Sequence, residues 1–224
     1  MFRKYEKTFR IITPNYQVPG KLSLSHAEQR DLLTGKLEIT EKVDGANVGI
    51  IRGNGDKWIL QKRRGLADEG VHAQFSFFWN WARHNYQKIL AIPHGWIVYG
   101  ELCYAKHNIY YDKLPSYFLV FDIWNGHEYL KYEEKEKLGF FGFKHVPLLH
   151  IGYIEDLLEL EKLITKTSLS TNSLVEGLVV KNYRKQMRGK LVRPEFMKEL
   201  EEEDHWLHKA LTKNLLSPSA NVYD

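Results

Sequence analysis

The sequence predicts an α+β fold, in which strands joined by tight turns alternate with helices. Two strand patterns, at residues 48–52 and 57–62, flank a turn of glycine, asparagine and aspartate, and glycine and asparagine accept the positive φ of a hairpin turn. A helix is predicted at residues 71–92, where apolar side chains recur every three or four positions. Continuous apolar runs at residues 117–123 and 174–181 predict further strands.

The remaining elements follow from local signals. Residues 5–18 predict an edge strand or an N-terminal wrap, and Ser25 with Glu28 forms a capping-box pattern that starts a short helix. Residues 36–40 and 96–104 predict strands, and residues 131–138 and 154–166 predict helices. The acidic run at residues 199–204 predicts a solvated helix face, and residues 213–224 are expected to fray.

The composition is that of an ordinary globular protein. A net charge of +4 permits a polyanionic partner but does not demand one. Cys103 is the single cysteine, which excludes an internal disulfide and a cysteine-cluster zinc site and favours a reducing compartment. No stretch approaches the ~20 apolar residues of a membrane span. We therefore expect a cytoplasmic protein with no membrane partner.

The segment Glu41-Lys42-Val43-Asp44-Gly45-Ala46-Asn47 lies between the strand patterns at residues 36–40 and 48–52. A lysine flanked by carboxylates and followed by glycine is placed where the backbone can turn sharply and a ligand can approach closely. Lys42 is therefore a candidate nucleophile. The alternative is an ordinary solvated turn, which explains most four-residue matches of this kind.

Other ionisable residues interrupt apolar strands or follow them. Glu101 lies inside the strand predicted at residues 96–104, where a carboxylate needs a partner or a ligand to offset its desolvation. Glu176 and Lys181 bracket a second apolar run. Arg63 and Arg64 form a basic turn directly after the hairpin, and a solvated turn is again the simpler interpretation.

Taken in order, these segments resemble the motifs of the covalent nucleotidyltransferases, a group that contains ATP-dependent ligases and messenger-RNA capping enzymes. Asn47 stands where DNA ligases and capping enzymes usually carry arginine, and it resembles the RNA ligases of the nick-sealing type. The resemblance implies an adenylyltransferase domain at residues 1–194, with two mainly antiparallel sheets around a nucleotide cleft and flanking helices. Residues 195–224 would form a short helical extension without an oligonucleotide-binding barrel.

The resemblance also implies roles for individual residues. Lys42 would be the nucleophile that forms lysyl-AMP, and Phe121 would stack on adenine. The implied nucleotide-binding residues are Glu41, Asp44, Asn47, Arg63 with Arg64 as an alternative, Glu101, Phe121, Lys181 and Lys190. Glu176 and Asn47 would hold Mg²⁺ or Mn²⁺. Val192 occupies the place of a second lysine that the nick-sealing family usually has, with Arg188 and Arg193 as candidate substitutes.

The implied activity is that of an ATP-dependent RNA ligase, which adenylates itself, passes AMP to a 5′-phosphate end and joins that end to a 3′-hydroxyl. The partner would be RNA whose ends are nicked or templated, and the oligomeric state stays open. The alternatives are a DNA ligase, a capping-type guanylyltransferase and a non-catalytic RNA-binding module. Asn47 argues against the capping enzyme, and the intact lysine motif argues against the binding module.

Overall fold

The computed structural model describes residues 2–17, 22–196 and 211–224. In chain order the strands are β1 (Phe9–Arg10), β2 (Leu37–Lys42), β3 (Ala46–Arg52), β4 (Trp58–Lys62), β5 (Gly65–Leu66), β6 (Ile97–Leu102), β7 (Phe118–Trp124), β8 (Leu148–Gly152), β9 (Gly177–Asn182) and β10 (Met187–Val192). The helices are α1 (His26–Leu32), α2 (Ala73–His84), α3 (Tyr86–Leu90), α4 (Tyr132–Lys137) and α5 (Leu157–Lys162), with a 3₁₀ turn at Gly139–Gly142.

The chain divides into two compact units, each with one five-stranded sheet. The first unit comprises Met1–Glu6, Asp44–Val146 and Leu211–Asp224, and the second comprises Lys7–Val43 and Pro147–Ala210. Among the ten strands named above, all pairs are antiparallel except β1 with β10. The predicted α+β class with mainly antiparallel sheets is therefore confirmed.

The sheet of the first unit has the strand order β5-β4-β3-β6-β7. The predicted hairpin is present, because β3 and β4 pair from Val48 with Lys62 to Arg52 with Trp58. One face of this sheet buries apolar side chains that form a core with the aromatic residues of α2. The centre of that core includes Val48, Ile50, Val98, Phe78 and Trp81. Among the aromatic residues on the apolar face predicted at residues 71–92, Phe78 is fully buried in this core, and Phe75 and Trp79 pack against it partly buried.

The helix predicted at residues 71–92 is not continuous, and that prediction is wrong. The chain breaks at Asn85, where φ is −96° and ψ is 20°, into α2 and α3. The Asn85 side-chain amide donates to the carbonyl oxygens of Trp81 at 3.0 Å and Tyr223 at 2.7 Å. These two bonds satisfy the Asn85 side-chain amide at the end of α2. The break was not predicted because the apolar periodicity continues through both helices.

The sheet of the second unit has the strand order β1-β10-β9-β2-β8. β1 is an edge strand, as one of the two predictions for residues 5–18 stated. The core on one face includes Leu37, Ile39, Leu178, Val180 and Leu191. The capping box of α1 is confirmed, because the Ser25 hydroxyl accepts from the Glu28 N–H and the Glu28 carboxylate accepts from the Ser25 N–H.

Two details of the second unit differ from the sequence prediction. β8 was not predicted, because its short apolar run is bracketed by Pro147 and Gly152 and resembles a turn. The helix predicted at residues 154–166 is shorter and begins after Asp156, whose carboxylate accepts from the N–H groups of Leu158 and Glu159. The Asp156 cap therefore fixes the residue at which α5 begins, which the apolar pattern alone did not indicate.

The acidic run at residues 199–204 lies outside the described residues, so the predicted boundary at residue 194 and the helical extension stay predictions. The expected fraying of residues 213–224 is wrong. Asn214 is fully buried, and the Asp224 carbonyl accepts from the Trp81 indole N–H at 2.8 Å. None of the helices in the described part of the chain has the length and apolar character that crossing a bilayer requires.

Candidate functional site

Lys42 is the last residue of β2, which continues two positions beyond the strand predicted at residues 36–40. The strand extends because Glu41 pairs with Leu178 and Lys42 pairs with Gly177 on β9. Gly177 is required there, since a Cβ at this position would lie 2.0 Å from the Leu191 carbonyl oxygen. Strand β10 therefore lies very close to Gly177, the residue of β9 that pairs with Lys42.

The Lys42 side chain contacts Glu176. Its Nζ lies 2.7 Å from Glu176 Oε2, and the two side chains are 25% and 7% exposed. A carboxylate in contact favours the protonated ammonium form of lysine. An amine in such a contact is a nucleophile only once the contact is broken or outweighed by other cations, and the Lys42 side chain stays partly accessible to solvent.

Cross-strand pairing places five ionisable residues on one face of the second unit's sheet. We call this the basic face, and it consists of Glu38, Lys42, Lys181, Arg188 and Lys190. Glu38 and Lys181 form a buried ion pair at 3.1 Å. With Glu176 in contact with Lys42, the four cations outnumber two acids. Such a surplus suits a phosphate-bearing ligand, because guanidinium and ammonium groups are the usual phosphate contacts in proteins. Three of the predicted residues, Lys42, Lys181 and Lys190, are thus brought together.

Arg188 and Arg193, the candidate substitutes for a lysine at Val192, differ in position. Arg188 pairs with Lys181 and lies on the basic face. The Arg193 side chain donates from Nε to the Val175 carbonyl oxygen at 2.5 Å. Arg193 thus holds the chain just before Glu176, and the geometry favours Arg188 as the substitute.

Glu41 occupies the opposite face of β2, among the apolar residues, and is 2% exposed. Burial raises the pKa of its carboxyl to about 7, a nearby Thr167 hydroxyl opposes the rise, and the Glu176 carboxylate adds to it. Among the described residues, nothing donates a hydrogen bond to Glu41 Oε1. A buried acceptor without a donor is costly, so this oxygen suits a ligand that brings an N–H group.

In the first unit, Asp44 anchors a loop. Its Oδ2 accepts from the N–H groups of Asn108 at 2.7 Å and Ile109 at 2.8 Å, and its own N–H donates to the Tyr111 hydroxyl at 2.9 Å. These contacts explain why an acid stands in the turn after β2. The contact with nucleotide that the sequence suggested for Asp44 stays a prediction.

Glu101 and Asn47 face each other as a cross-strand pair of β3 and β6. Glu101 Oε1 accepts from the Gly45 N–H at 3.1 Å. A Cβ on Gly45 would lie 2.7 Å from the Leu102 carbonyl oxygen, so the close approach of this turn to β6 requires glycine. Two predicted site residues and the glycine of the lysine motif therefore lie together at one end of β3.

Phe121 lies where the pairing of β6 and β7 shifts register, between Tyr99 and Gly100. Its ring packs edge-on against Tyr5, with the ring centroids 5.0 Å apart, and the Tyr5 hydroxyl donates to the buried Asp122 carboxylate at 2.9 Å. The contact of Tyr5 with Phe121 was not predicted, because nothing in residues 2–6 indicates which strand they cover.

Arg63 and Arg64 form the two-residue turn between β4 and β5, and both are exposed. The nucleotide contact suggested for Arg63, or for Arg64 in its place, stays a prediction. Within residues 2–17, 22–196 and 211–224 there is no group of three His, Cys, Asp or Glu side chains that could hold a metal ion. A magnesium ion commonly keeps several waters and uses only one or two protein carboxylates, and the metal role of Glu176 and Asn47 stays a prediction.

Sequence reasoning missed three residues that support these groups, namely Glu38, Tyr111 and Asn214. The alternation of Glu38, Thr40 and Lys42 along β2 was a readable signal that one face is polar. No comparable signal marks Tyr111 or Asn214, whose contacts are with residues far away in the sequence.

Comparison with known proteins agrees with this arrangement. The family model described as RNA ligase matches residues 35–194. No curated protein sequence matches the chain.

Several solved structures of mutants of the Naegleria gruberi RNA ligase share the fold. One with ATP and Mn has a TM-score of 0.61 at 20% identity, over 79% of this chain and 55% of that chain. An apo mutant has a TM-score of 0.62 at 19% identity over the same shares. A third, with ATP and Mn, has a TM-score of 0.60 at 19% identity, over 88% of this chain and 64% of that chain.

The chain thus spans less than two thirds of the length of these structures, and at such low identity the likeness shows the fold alone. The family model is the stronger finding, because it matches an uninterrupted range from residue 35 to residue 194 that contains every predicted site residue. The chain therefore belongs to the RNA ligase family.

Proposed function

We propose that this chain is an ATP-dependent RNA ligase that forms a lysyl-AMP intermediate on Lys42. The observation that carries the proposal is the placement of Lys42 at the end of a strand, in contact with Glu176 and on the same face as Lys181, Arg188 and Lys190. A nucleophilic amine beside several cations is what attack on a polyphosphate needs, because those cations offset the charge that develops on the phosphoryl oxygens.

In the first step, the Lys42 amine attacks the α-phosphorus of ATP. A bond forms from Nζ to phosphorus, the bond from phosphorus to the pyrophosphate oxygen breaks, and the amine loses its protons to solvent. An unperturbed lysine titrates at about 10.4, so neighbouring cations must favour the neutral amine. Lys181 and Lys190 act in that direction, whereas Glu176 opposes it until its carboxylate is engaged elsewhere.

Individual residues are assigned to the parts of ATP that they would bind. Glu41 binds the base, because its buried Oε1 lacks a donor among the described residues and the exocyclic amine of adenine can donate. Phe121 stacks on adenine, Glu101 holds the ribose, and Arg63 contacts the ribose or a phosphate. Asp44 supports the site by holding its loop. The Naegleria gruberi structures obtained with ATP are consistent with this ligand.

Mg²⁺ or Mn²⁺ is proposed as the metal cofactor, and Glu176 and Asn47 would hold it, in part through water. The fit is chemical: both side chains offer oxygen ligands, and Glu176 is a nearly buried carboxylate whose cation in this structure is the Lys42 ammonium. The metal would neutralise phosphate charge. The Naegleria gruberi structures with Mn are consistent with such an ion.

The later steps use RNA. AMP passes from Lys42 to a 5′-phosphate end, and a 3′-hydroxyl then attacks that phosphate and displaces AMP. Nicked or templated RNA is the proposed substrate, because a template aligns the two ends that a small protein surface must otherwise hold.

Intact mass measurement after incubation with ATP and Mg²⁺ tests the proposal. We expect a gain of one AMP that is lost in Lys42→Ala and kept in Lys36→Ala, which changes an exposed lysine just before β2. Lys42→Ala should still seal a pre-adenylated strand, since that step does not need the nucleophile. An adduct at wild-type level in Lys42→Ala contradicts the assignment, and an adduct from GTP but not from ATP favours a capping-type enzyme instead.

A further inference from the structure

Residues 211–224, which we call the tail segment, pack along residues 103–117 within the first unit. The Lys106 N–H donates to the Thr212 carbonyl at 2.7 Å, and the Leu114 N–H donates to the Leu215 carbonyl at 3.1 Å. These backbone bonds lie on either side of a loop that contains Asn108 and Tyr111. The tail segment thus borders the loop that Asp44 holds.

Asn214 is the centre of this contact and is fully buried. Its side-chain amide donates to the carbonyl oxygens of Cys103 at 2.8 Å and Ala105 at 3.2 Å, while its side-chain oxygen accepts from the Tyr111 N–H at 3.0 Å. Its main-chain carbonyl accepts from the Tyr117 hydroxyl at 3.0 Å. A side chain with every polar atom engaged in a buried site holds its partners in one arrangement.

Tyr111 connects this centre to the lysine motif. Its N–H bonds Asn214, and its hydroxyl accepts from the Asp44 N–H at 2.9 Å. Both ends of Tyr111 are buried, and the residue is fully inaccessible to solvent. Asp44 in turn follows Lys42 by two residues in the sequence. A short series of buried hydrogen bonds therefore leads from the tail segment to the turn that follows Lys42.

We infer that the tail segment acts, through Asn214 and Tyr111, as a positioning element for the turn at Asp44 and Gly45 during self-adenylation. This inference rests on the proposed role of Lys42 as nucleophile. Neither Asn214 nor Tyr111 is assigned a contact with ATP. Their effect is on where the residues after Lys42 are held, and a small displacement of a reacting group is enough to slow a reaction substantially.

A positioning role predicts a particular kinetic pattern. Loosening the turn lowers the maximal rate of adduct formation, because the fraction of bound ATP that meets a well-placed amine falls. The ATP concentration at half-maximal rate stays close to the wild-type value, since no ATP contact is removed. A loss of folded protein would instead lower the yield of adduct without changing the rate constant of the folded molecules.

Two variants of the full chain test this inference, each with a matched control. Tyr111→Phe removes one buried hydroxyl and keeps the ring, and Tyr110→Phe is its exposed neighbour. Asn214→Asp keeps the shape and removes the two donated bonds, and Ser219→Ala is an exposed change in the same segment. The measurements are hydrogen exchange of the Asp44 amide without nucleotide and the rate of AMP adduct formation across ATP concentrations.

We expect exchange of the Asp44 amide to be faster in both test variants and unchanged in both controls. The maximal adduct rate should fall about tenfold in Tyr111→Phe, as one lost bond to a buried amide implies. If Asn214→Asp leaves the exchange of Asp44 at the wild-type rate, the tail segment does not position the turn. Should Asn214→Asp fail to fold, Tyr117→Phe, which removes the hydroxyl that donates to the Asn214 carbonyl, tests the tail segment by the same two measurements.

The outcomes separate this inference from the proposed function. If the wild-type chain forms no adduct, the proposed function fails, while the exchange measurement still decides whether the tail segment holds the turn. If the wild-type chain forms an adduct and Asp44 exchanges faster without any change in the adduct rate, the proposed function stands and the positioning role is wrong.

Discussion

Glu41 leads to a prediction about stability and pH. Burial raises the pKa of its carboxyl from 4.5 to about 7. Below pH 4.5 the carboxyl is protonated in the folded and the unfolded chain alike. As pH rises from 4.5 toward 7, the unfolded chain releases the proton and the folded chain retains it, so the folded state loses stability. Above 7 both states are ionised, and the loss stays constant.

The expected size follows from the linkage relation. One unit in pKa corresponds to about 1.4 kcal/mol, so the complete loss is about 3 kcal/mol. Most of it, about 2.5 kcal/mol, falls between about pH 5 and about pH 8. Glu41→Gln retains a side chain of the same shape but has no ionisation, so its free energy of unfolding should not show this decline.

Urea unfolding of the wild type and Glu41→Gln, followed at about pH 5 and about pH 8, measures the difference. Glu155→Gln, an exposed change in the same unit, serves as the control and should follow the wild type. Parallel pH dependence of the wild type and Glu41→Gln would show that the Glu41 carboxyl is not desolvated in the folded protein, and it would refute the reasoning.

Three further predictions follow from the site. Gly177→Ala should destabilise the chain by about 3 kcal/mol or more in urea unfolding, because the new Cβ meets backbone atoms of β10. Gly53→Ala, whose Cβ would lie 3.2 Å from its nearest neighbour, should destabilise it clearly less. Equal losses of stability would contradict the clash. Phe121→Ala should weaken ATP binding by about 1 to 3 kcal/mol and Phe121→Tyr by less, whereas equal affinities in a titration would make Phe121 a packing residue only. Sealing of nicked duplexes should decline steeply as salt is raised, with RNA preferred at the 3′-hydroxyl side, and equal joining of all-DNA nicks would overturn the RNA assignment.

The order and type of most elements were already determined by the sequence. The hairpin of β3 and β4 and the cap of α1 depend on residues a few positions apart, so local patterns predicted them correctly. Membership of the RNA ligase family likewise agrees with the motif that contains Lys42 and Asn47. Such features can be predicted from the sequence because glycine, asparagine and capping side chains act on their immediate neighbours.

The candidate site itself depended on tertiary structure. That Lys42 ends a strand follows from its pairing with Gly177, and the ion pair of Glu38 with Lys181 follows from the same register. Asn214 orders the tail segment through hydrogen bonds to the carbonyl oxygens of Cys103 and Ala105, which lie far from it in the sequence. A periodic pattern along one strand shows which side chains share a face, but not which distant strand lies beside it. Pairing register and burial are decided by the whole chain, and they are what give Glu41 its raised pKa and Lys42 its basic surroundings.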